Sequence, residues 1–493
     1  MQKLLTHRGD EEVTIPLASL DITGVVEYGF LAVIAGYAFT GLVAPLWGPR
    51  ATRLSLYAAT LIAIAAALYA SLVFSHVGGY AVAFDGAVVI DTYTVFLLST
   101  AVIIFALAAI AATGIVDYWD AGEAFYAVTG FMALGVIVLG LSRILYLVYV
   151  AWILAAVSGY ILVALRRDPI AAEAAMKYAV TGAVATIILL LDLVLFYVVR
   201  GSAEIAPGVR LSDPLFVTPV VALAIVAAGF KMGVVPFHGW VVDVYGNARP
   251  LVVAVISSAA KIISALLIVR LVAPFAAAQP DIVLWTAASL AAITMLYGNL
   301  GALLTVRDSP QKTLAYSSIA QAGYIVAGFA ALAKLPGVDN QAALAGIVLH
   351  TAGYAFSKLA SFLALDIACE EEGQCSWKAL RGLAHRNPVA ATALIIALAN
   401  LAGAPPTLGF WGKLYLMIAT VSASPLLAAI MVLNFGLGVF YYGYMIYQTA
   451  AGPRQSSEKP STREIAALAA AISTVLLGLA PWEAYGLTVY AYP

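Results

Sequence analysis

Five basic residues stand inside apolar stretches of this 493-residue chain: Lys231, Lys261, Arg270, Lys358 and Lys413. A charged side chain at the centre of a bilayer-length helix costs on the order of 3 kcal/mol on insertion scales, so such residues are rare and face a polar pathway. Lysine is also the basic side chain that gives up its proton readily when buried and can take it back. Lys231, Lys261 and Lys413 are therefore candidate members of a proton relay, since two lie at helix breaks and the third lies mid-span. Arg270, near the end of its stretch, and Lys358 fit equally well as side chains that snorkel to the interface.

Acids are scarcer in the same stretches: Glu27 near the start of the first, Asp192 deep in the run Leu189–Leu195, and Asp366 at the end of another. An unpaired carboxylate at that depth is costly, so Asp192 needs a basic partner, water or a hydrogen bond that keeps it neutral. His238, Trp240, Asp243 and Tyr245 follow Pro236 and suit proton uptake or loop anchoring alike. His350 could be a relay member or a packed polar group.

The elements that must hold these residues are membrane spans. The chain is 63% hydrophobic and 10% charged, against about a quarter charged in soluble domains, and its mean hydropathy is +0.97. Apolar runs of bilayer length fall near 24–46, 54–75, 92–114, 124–142, 144–165, 177–199, 215–237, 249–272, 282–305, 313–333, 341–366, 388–422, 425–448 and 464–482. About fourteen transmembrane helices follow, so the fold class is an all-α polytopic membrane protein. The twelfth stretch is too long for one straight helix and contains Pro405 and Pro406. The seventh carries Pro236. Proline removes a backbone donor and clashes with the preceding turn, so both should be broken or kinked. Gly229-Phe230-Lys231 with Pro236 and Trp240 echoes Pro406, Gly409-Phe410-Trp411 and Lys413, and paired broken helices in two halves are a sequence pointer to a transport site.

Loops after odd-numbered spans carry Arg50, Arg53, Arg166, Arg167, Lys177, Arg249, Arg307, Lys312, Lys378, Arg381, Arg386, Arg454, Lys459 and Arg463; the other side carries Lys3, Arg8, Arg143, Arg200, Arg210 and Lys334. The positive-inside rule puts the first set in the cytoplasm and both termini outside. Residues 1–21 are polar and lack the pattern of a removable signal peptide. A net charge of −1 gives no reason to expect nucleic acid. Cys369 and Cys375 share a polar loop at a spacing that matches no zinc or iron–sulfur pattern, and are expected to be free thiols.

Three segments resemble one known family. Gly229-Phe230-Lys231-Met232-Gly233-Val234-Val235-Pro236-Phe237-His238-Gly239-Trp240 with Asp243-Val244-Tyr245, Leu314–Tyr324, and Gly403–Lys413 look like the signatures of the antiporter-like membrane subunits of respiratory complex I. Asp243-Val244-Tyr245 and Ser317-Ser318-Ile319-Ala320 resemble subunit N more than subunits M and L. The resemblance implies two inverted five-helix repeats, each with a broken helix. The chain would divide into 1–123, a first repeat at 124–272, a second at 282–448, and a C-terminal part at 449–493. It implies that Lys231, Lys261 and Lys413 carry protons and that Pro236, Pro405, Pro406, His238, Asp243, His350 and Lys358 support them. The protein would be one subunit of a proton-translocating oxidoreductase that passes electrons from NADH or another donor to quinone. No cofactor is expected on this chain; quinone, flavin and iron–sulfur centres belong to partner subunits. The expected partners are the other membrane-arm subunits and the bilayer of the cell (plasma) membrane.

The sequence departs from the family in places. The family glutamate that pairs with the seventh-helix lysine falls at Trp152 or Ile153, and no acid occurs between Arg143 and Arg167. Gln321 replaces a histidine, and Val242 a proline. Asp192 is expected to replace the lost glutamate as the counter-charge of Lys231. Alternatives are a multisubunit cation/proton antiporter, a membrane-bound hydrogenase that uses the same module, or a scaffold subunit that no longer pumps.

Overall fold

The computed structural model describes residues 7–8, 11–12, 22–77, 80–165, 167–205, 214–276, 280–333, 338–370, 375–452 and 461–481. Lys3, Arg166, Arg210, Lys334, Arg454 and Lys459 lie outside them. The helices are α1 (Ile22–Leu42), α2 (Pro49–Val77), α3 (Thr92–Ala112), α4 (Gly122–Leu141), α5 (Leu145–Ala164), α6 (Pro169–Arg200), α7 (Pro214–Met232), α8 (Gly239–Asn247) and α9 (Pro250–Ala276). They continue as α10 (Pro280–Thr305), α11 (Pro310–Leu332), α12 (Val338–Ala368), α13 (Trp377–Leu380), α14 (Leu383–Arg386), α15 (Pro388–Ala402), α16 (Leu408–Ala423), α17 (Pro425–Ala450) and α18 (Thr462–Gly478). Two small antiparallel pairs accompany them, β1 (His7–Arg8) with β2 (Glu11–Glu12) and β3 (Tyr80–Ala83) with β4 (Val88–Asp91).

Proline and short polar side chains set the starts. Eight helices open on proline, whose missing N–H would be unpaired at that position anyway. Asp168, Ser309, Asn387 and Ser424 sit just before four of these prolines and accept a backbone N–H from the first turn. Helix α6 starts earlier than the apolar run suggested, so Lys177 belongs to a helix and not to a loop.

Ten helices among the described residues are long and apolar enough to cross a membrane. The expected twelfth span is divided, as its prolines required: α15 ends at Ala402 and α16 begins at Leu408. The seventh is divided likewise, between Met232 of α7 and Gly239 of α8. The spanning stretches of α9 and α12 are wholly enclosed by protein, whereas most of α2, α6 and α17 faces outward. Exposed Val180, Val184, Ile187, Leu191 and Val198 give α6 a lipid-compatible outer face. Small residues let backbones approach: a Cβ on Gly298 of α10 would collide with the Ala320 backbone of α11.

Arg270 turns out to hold the fold together. Its Nη2 donates to Asp91 Oδ2 at 2.8 Å and to Thr94 Oγ1 at 2.7 Å, tying α9 to the start of α3. Asp91 also caps α3 through the Thr94 N–H at 2.7 Å. Asp366 is bound by Arg249 and Arg463, each at 3.2 Å, which joins the ends of α9, α12 and α18. Cys369 and Cys375 are not free thiols: they form a disulfide, their Cα atoms 5.2 Å apart. Spacing could exclude a metal pattern but could not show that the chain folds one sulfur onto the other.

Both members of the Arg270–Asp91 pair are almost fully buried, so Arg270→Leu leaves an uncompensated carboxylate. The expected loss is about 3–5 kcal/mol, seen as a lower midpoint of thermal unfolding in detergent. Pairing it with Asp91→Asn should recover part of that loss.

Candidate functional site

The two breaks are built alike. Gly233 adopts φ +81° and Gly403 φ +91°, a left-handed conformation that glycine enters without Cβ strain. Three residues later stand Pro236 and Pro406, both after cis peptide bonds. Aligned on these residues, Lys231 corresponds to Leu401 and Lys413 to Asp243. The two lysines therefore lie on opposite sides of their breaks, one before and one after, which the echo of Gly-Phe residues had placed in parallel.

A helix that stops inside a protein leaves carbonyls of its last turn without N–H partners. Those carbonyls carry the negative end of the helix dipole and favour a cation. At the first break Lys261, reaching across from α9, donates to Met232 O at 2.6 Å. Trp240 Nε1 takes Phe230 O at 2.9 Å. At the second break Lys413 donates to Leu401 O at 2.7 Å and Ala402 O at 3.0 Å. Each broken helix thus ends on a lysine ammonium.

Ring faces supply the rest of each lysine's surroundings. Lys231 Nζ donates to Tyr178 Oη at 3.1 Å and lies 5.2 Å from that ring's centroid and 5.9 Å from those of Trp152 and Tyr160. Lys413 Nζ lies 4.9 Å from Phe435 and 5.3 Å from Tyr324. Tyr354 stands between two lysines, 5.0 Å from Lys261 and 5.7 Å from Lys358. Such distances fall within the roughly 6 Å at which a ring quadrupole attracts a cation.

Lys358 is fully buried, so it does not snorkel. Its Nζ donates to Leu314 O at 2.7 Å and Ser317 Oγ at 2.5 Å. Ser317 Oγ in turn donates to Leu314 O at 3.0 Å, while Gln321 Nε2 donates both to Tyr442 Oη at 3.0 Å and to Leu401 O at 3.1 Å. Leu401 O is the carbonyl that also receives Lys413. Tyr442 and Lys413 are thereby joined through Gln321 and one peptide oxygen, and Lys358 is bound to the same helix, α11, through Ser317. Two helical stripes make this possible: Ser317, Gln321 and Tyr324 recur at four- and three-residue spacing on α11, and His350, Tyr354 and Lys358 at four-residue spacing on α12. The α11 stripe lay within a segment singled out from sequence, yet only its pairing with α12 shows what it does.

Several expected residues stand elsewhere. Asp192 does not replace the lost glutamate. Tyr178, which touches Lys231, and Asp192 are fourteen residues apart on the same helix, about 21 Å at 1.5 Å per residue. Both Asp192 carboxylate oxygens are buried without a hydrogen-bond partner. Asp243 pairs with Lys177 at 3.2 Å, both about half exposed, where an ion pair contributes little. His238 packs its ring 4.1 Å from Tyr297, at the mouth of the first break. His350 is buried with neither ring nitrogen partnered, its ring 5.8 Å from Tyr324 and beside the Lys413 turn. Sequence reasoning missed the rings: Trp152, Tyr160, Tyr178, Tyr324, Tyr354 and Phe435 look like ordinary span residues until a lysine is found among them.

A sequence profile of the NADH:quinone oxidoreductase/Mrp antiporter transmembrane family matches residues 142–438, which contain both breaks and all four lysines. The chain belongs to this family. It is 31% identical to the F(420)H(2) dehydrogenase subunit N of Methanosarcina mazei over 474 residues, 90% of this chain and 94% of that protein. It is 31% identical to an NADH-quinone oxidoreductase subunit N of Roseiflexus castenholzii over 93% of this chain and 94% of that one. Among solved structures, a chain of respiratory complex I from Thermus thermophilus with bound aureothin superposes with TM-score 0.76 at 25% identity, over 94% of this chain and all of that one. A chain of the Mrp complex from Dietzia sp. superposes with TM-score 0.80 at 23% identity, over 94% and 96% of the two chains. For this family member the subunit N resemblance read from three motifs holds across nearly the whole length.

Gln321 is the link between Tyr442 and the second break. Gln321→Leu should slow proton transfer through the second half roughly tenfold, the cost of leaving a buried polar partner unmade. Gln321→His, which restores a group able to donate and accept, should retain most of the rate. Proton uptake by vesicles holding the assembled complex measures both.

Proposed function

We propose that this chain is a proton-translocating membrane-arm subunit of a complex I-like quinone oxidoreductase, with Lys231, Lys261, Lys358 and Lys413 as its relay. The observation that carries this reading is the placement of buried lysines on the carbonyl ends of both broken helices, Lys261 on Met232 O and Lys413 on Leu401 O and Ala402 O, with Gln321 joining the Leu401 carbonyl to Tyr442. Tyr354 lies between Lys261 and Lys358, its ring within cation–π distance of both. Protons move along hydroxyls, amides, water and amines when each group can give one and take another. Ser257, Ser361, Thr351 and His350 are buried polar groups without protein partners beside this path, the kind of site that bound water satisfies.

In this reading the spans form two inverted repeats, 124–272 and 282–448, related by their matching breaks and flanked by 1–123 and 449–493. Fourteen crossings place both termini outside the cytoplasm, with the chain in the plasma membrane. Electron transfer belongs to partner subunits that hold flavin, iron–sulfur and quinone sites, and this chain contributes the ion path. His350 and Lys413, which share Tyr324, stand nearest the second exit. His238 and Asp243 border the first break, where protons enter.

Lys413→Ala and Lys261→Ala each remove a relay amine and should abolish proton translocation by the reconstituted complex. Quinone reduction after addition of an uncoupler reports whether the redox arm is still intact. Full proton pumping in both variants, with the complex correctly assembled, sinks the relay. Loss of sodium movement with proton uptake preserved would assign the path to Na⁺ and favour a cation antiporter.

A further inference from the structure

Among the described residues, Lys231 has no carboxylate within ion-pair distance. The stretch between Arg143 and Arg167 contains no acid, Asp192 sits about 21 Å along α6 from Tyr178, and Lys231 forms no ion pair among the described residues. What surrounds its amine is aromatic. Trp152 and Tyr160 are eight residues apart on α5 and so share a face, and Tyr178 comes from the neighbouring α6.

Each ring is held in place by a contact of its own. Trp152 Nε1 donates to Thr186 Oγ1 at 3.1 Å. Tyr160 meets Tyr178 edge-on, with centroids 4.7 Å apart and planes at 79°. Tyr178 stacks flat on Trp240 at 4.3 Å and 7°, while its hydroxyl accepts from Lys231. The amine therefore meets the fixed rings of Trp152 and Tyr160 and the hydroxyl of Tyr178, in a site closed to lipid.

On this basis, and resting on the relay reading of Lys231, we propose that the rings of Trp152 and Tyr160, together with the Tyr178 hydroxyl, form an aromatic cage that does the work of a counter-charge: it stabilises the protonated amine and positions it against the Tyr178 hydroxyl. These are positioning residues for the relay. A carboxylate is a full charge whose pull reaches many ångströms, whereas a ring quadrupole acts only at contact. Small displacements of the α7 end out of the cage would suffice to release the amine, with no ion pair to separate. The cage also explains how the first half can lose its glutamate without leaving a bare cation at membrane depth.

Removing a ring removes attraction for the cation alone, so the protonated amine becomes less favourable and transport that depends on it shifts to lower pH. Vesicles carrying the whole complex, driven by the donor that supports its quinone reduction, would be assayed for proton uptake across pH with Trp152→Leu, Trp152→Phe, Tyr160→Leu and Lys231→Ala. Trp152→Leu and Tyr160→Leu should each move the midpoint of the pH profile down by roughly half a unit to one unit. Trp152→Phe, which keeps a weaker ring, should move it less in the same direction. Should Trp152→Leu fail to assemble, the Phe and Tyr160 variants decide the matter. Unmoved midpoints in the ring variants, with transport lost in Lys231→Ala, overturn the cage and leave the relay standing. Transport preserved in Lys231→Ala overturns the relay reading itself.

Discussion

An ammonium group at the depth of lipid tails has to be solvated by something other than water, and the ends of broken helices supply it. Peptide carbonyls that lose their N–H partners at Met232, Leu401 and Ala402 point at Lys261 and Lys413. The arrangement settles two costs together, since an orphan carbonyl and a buried cation are each unfavourable alone. Remove the break and the lysine loses its carbonyl acceptors; remove the lysine and the carbonyls of Met232 and Ala402 lose their donor. Paired interruptions in otherwise apolar spans are the fold's way of carrying charge where charge is costly.

Around these pairs the molecule grades from polar to apolar in a consistent way. α9 and α12, which carry Lys261 and Lys358, are the spans most completely wrapped by protein. α2, α6 and α17 expose much of their surface to the outside and carry their polar groups, where they have them, on inward faces. Tyr178 on α6 is such a group, pointing inward to Lys231 from a helix whose other side is aliphatic. The ion pairs fall elsewhere: Arg270–Asp91 locks α9 to α3, and the Asp366 cluster ties three helix ends. Full charges opposed to full charges hold this structure rigid, whereas the relay amines face carbonyls, hydroxyls and rings. That division suits a relay, because an amine bound to a carboxylate is hard to deprotonate and one bound to neutral groups is not.

Membership of the NADH:quinone oxidoreductase/Mrp antiporter family rests on residues 142–438, and within them the first lysine meets two rings and a hydroxyl and, among the described residues, no acid. In the second half Gln321 donates from Nε2 both to Tyr442 and to the Leu401 carbonyl, so one side-chain amide joins α11 to the second break.

Hydropathy and proline positions were enough to find the long apolar helices and both interruptions, because the bilayer imposes length and apolarity on each helix separately. Composition and a handful of motifs identified the lysines, since a charge in an apolar run is conspicuous one residue at a time. The partners of those lysines could not be read that way. Trp152, Tyr178 and Phe435 come from different helices, and a ring in a membrane span carries no mark of the cation it will face. Asp192 was misassigned for the same reason: an acid and a base in need of partners look matched along a sequence, but a rigid helix rising 1.5 Å per residue sets Asp192 about 21 Å from Tyr178, the residue of α6 that Lys231 touches. The free-thiol reading of Cys369 and Cys375 failed on the path of one loop. Which residues must be buried was therefore a property of the sequence, while which buried residues meet was decided by how α5, α6, α7, α11 and α12 pack, because contact depends on register between helices that no single helix encodes.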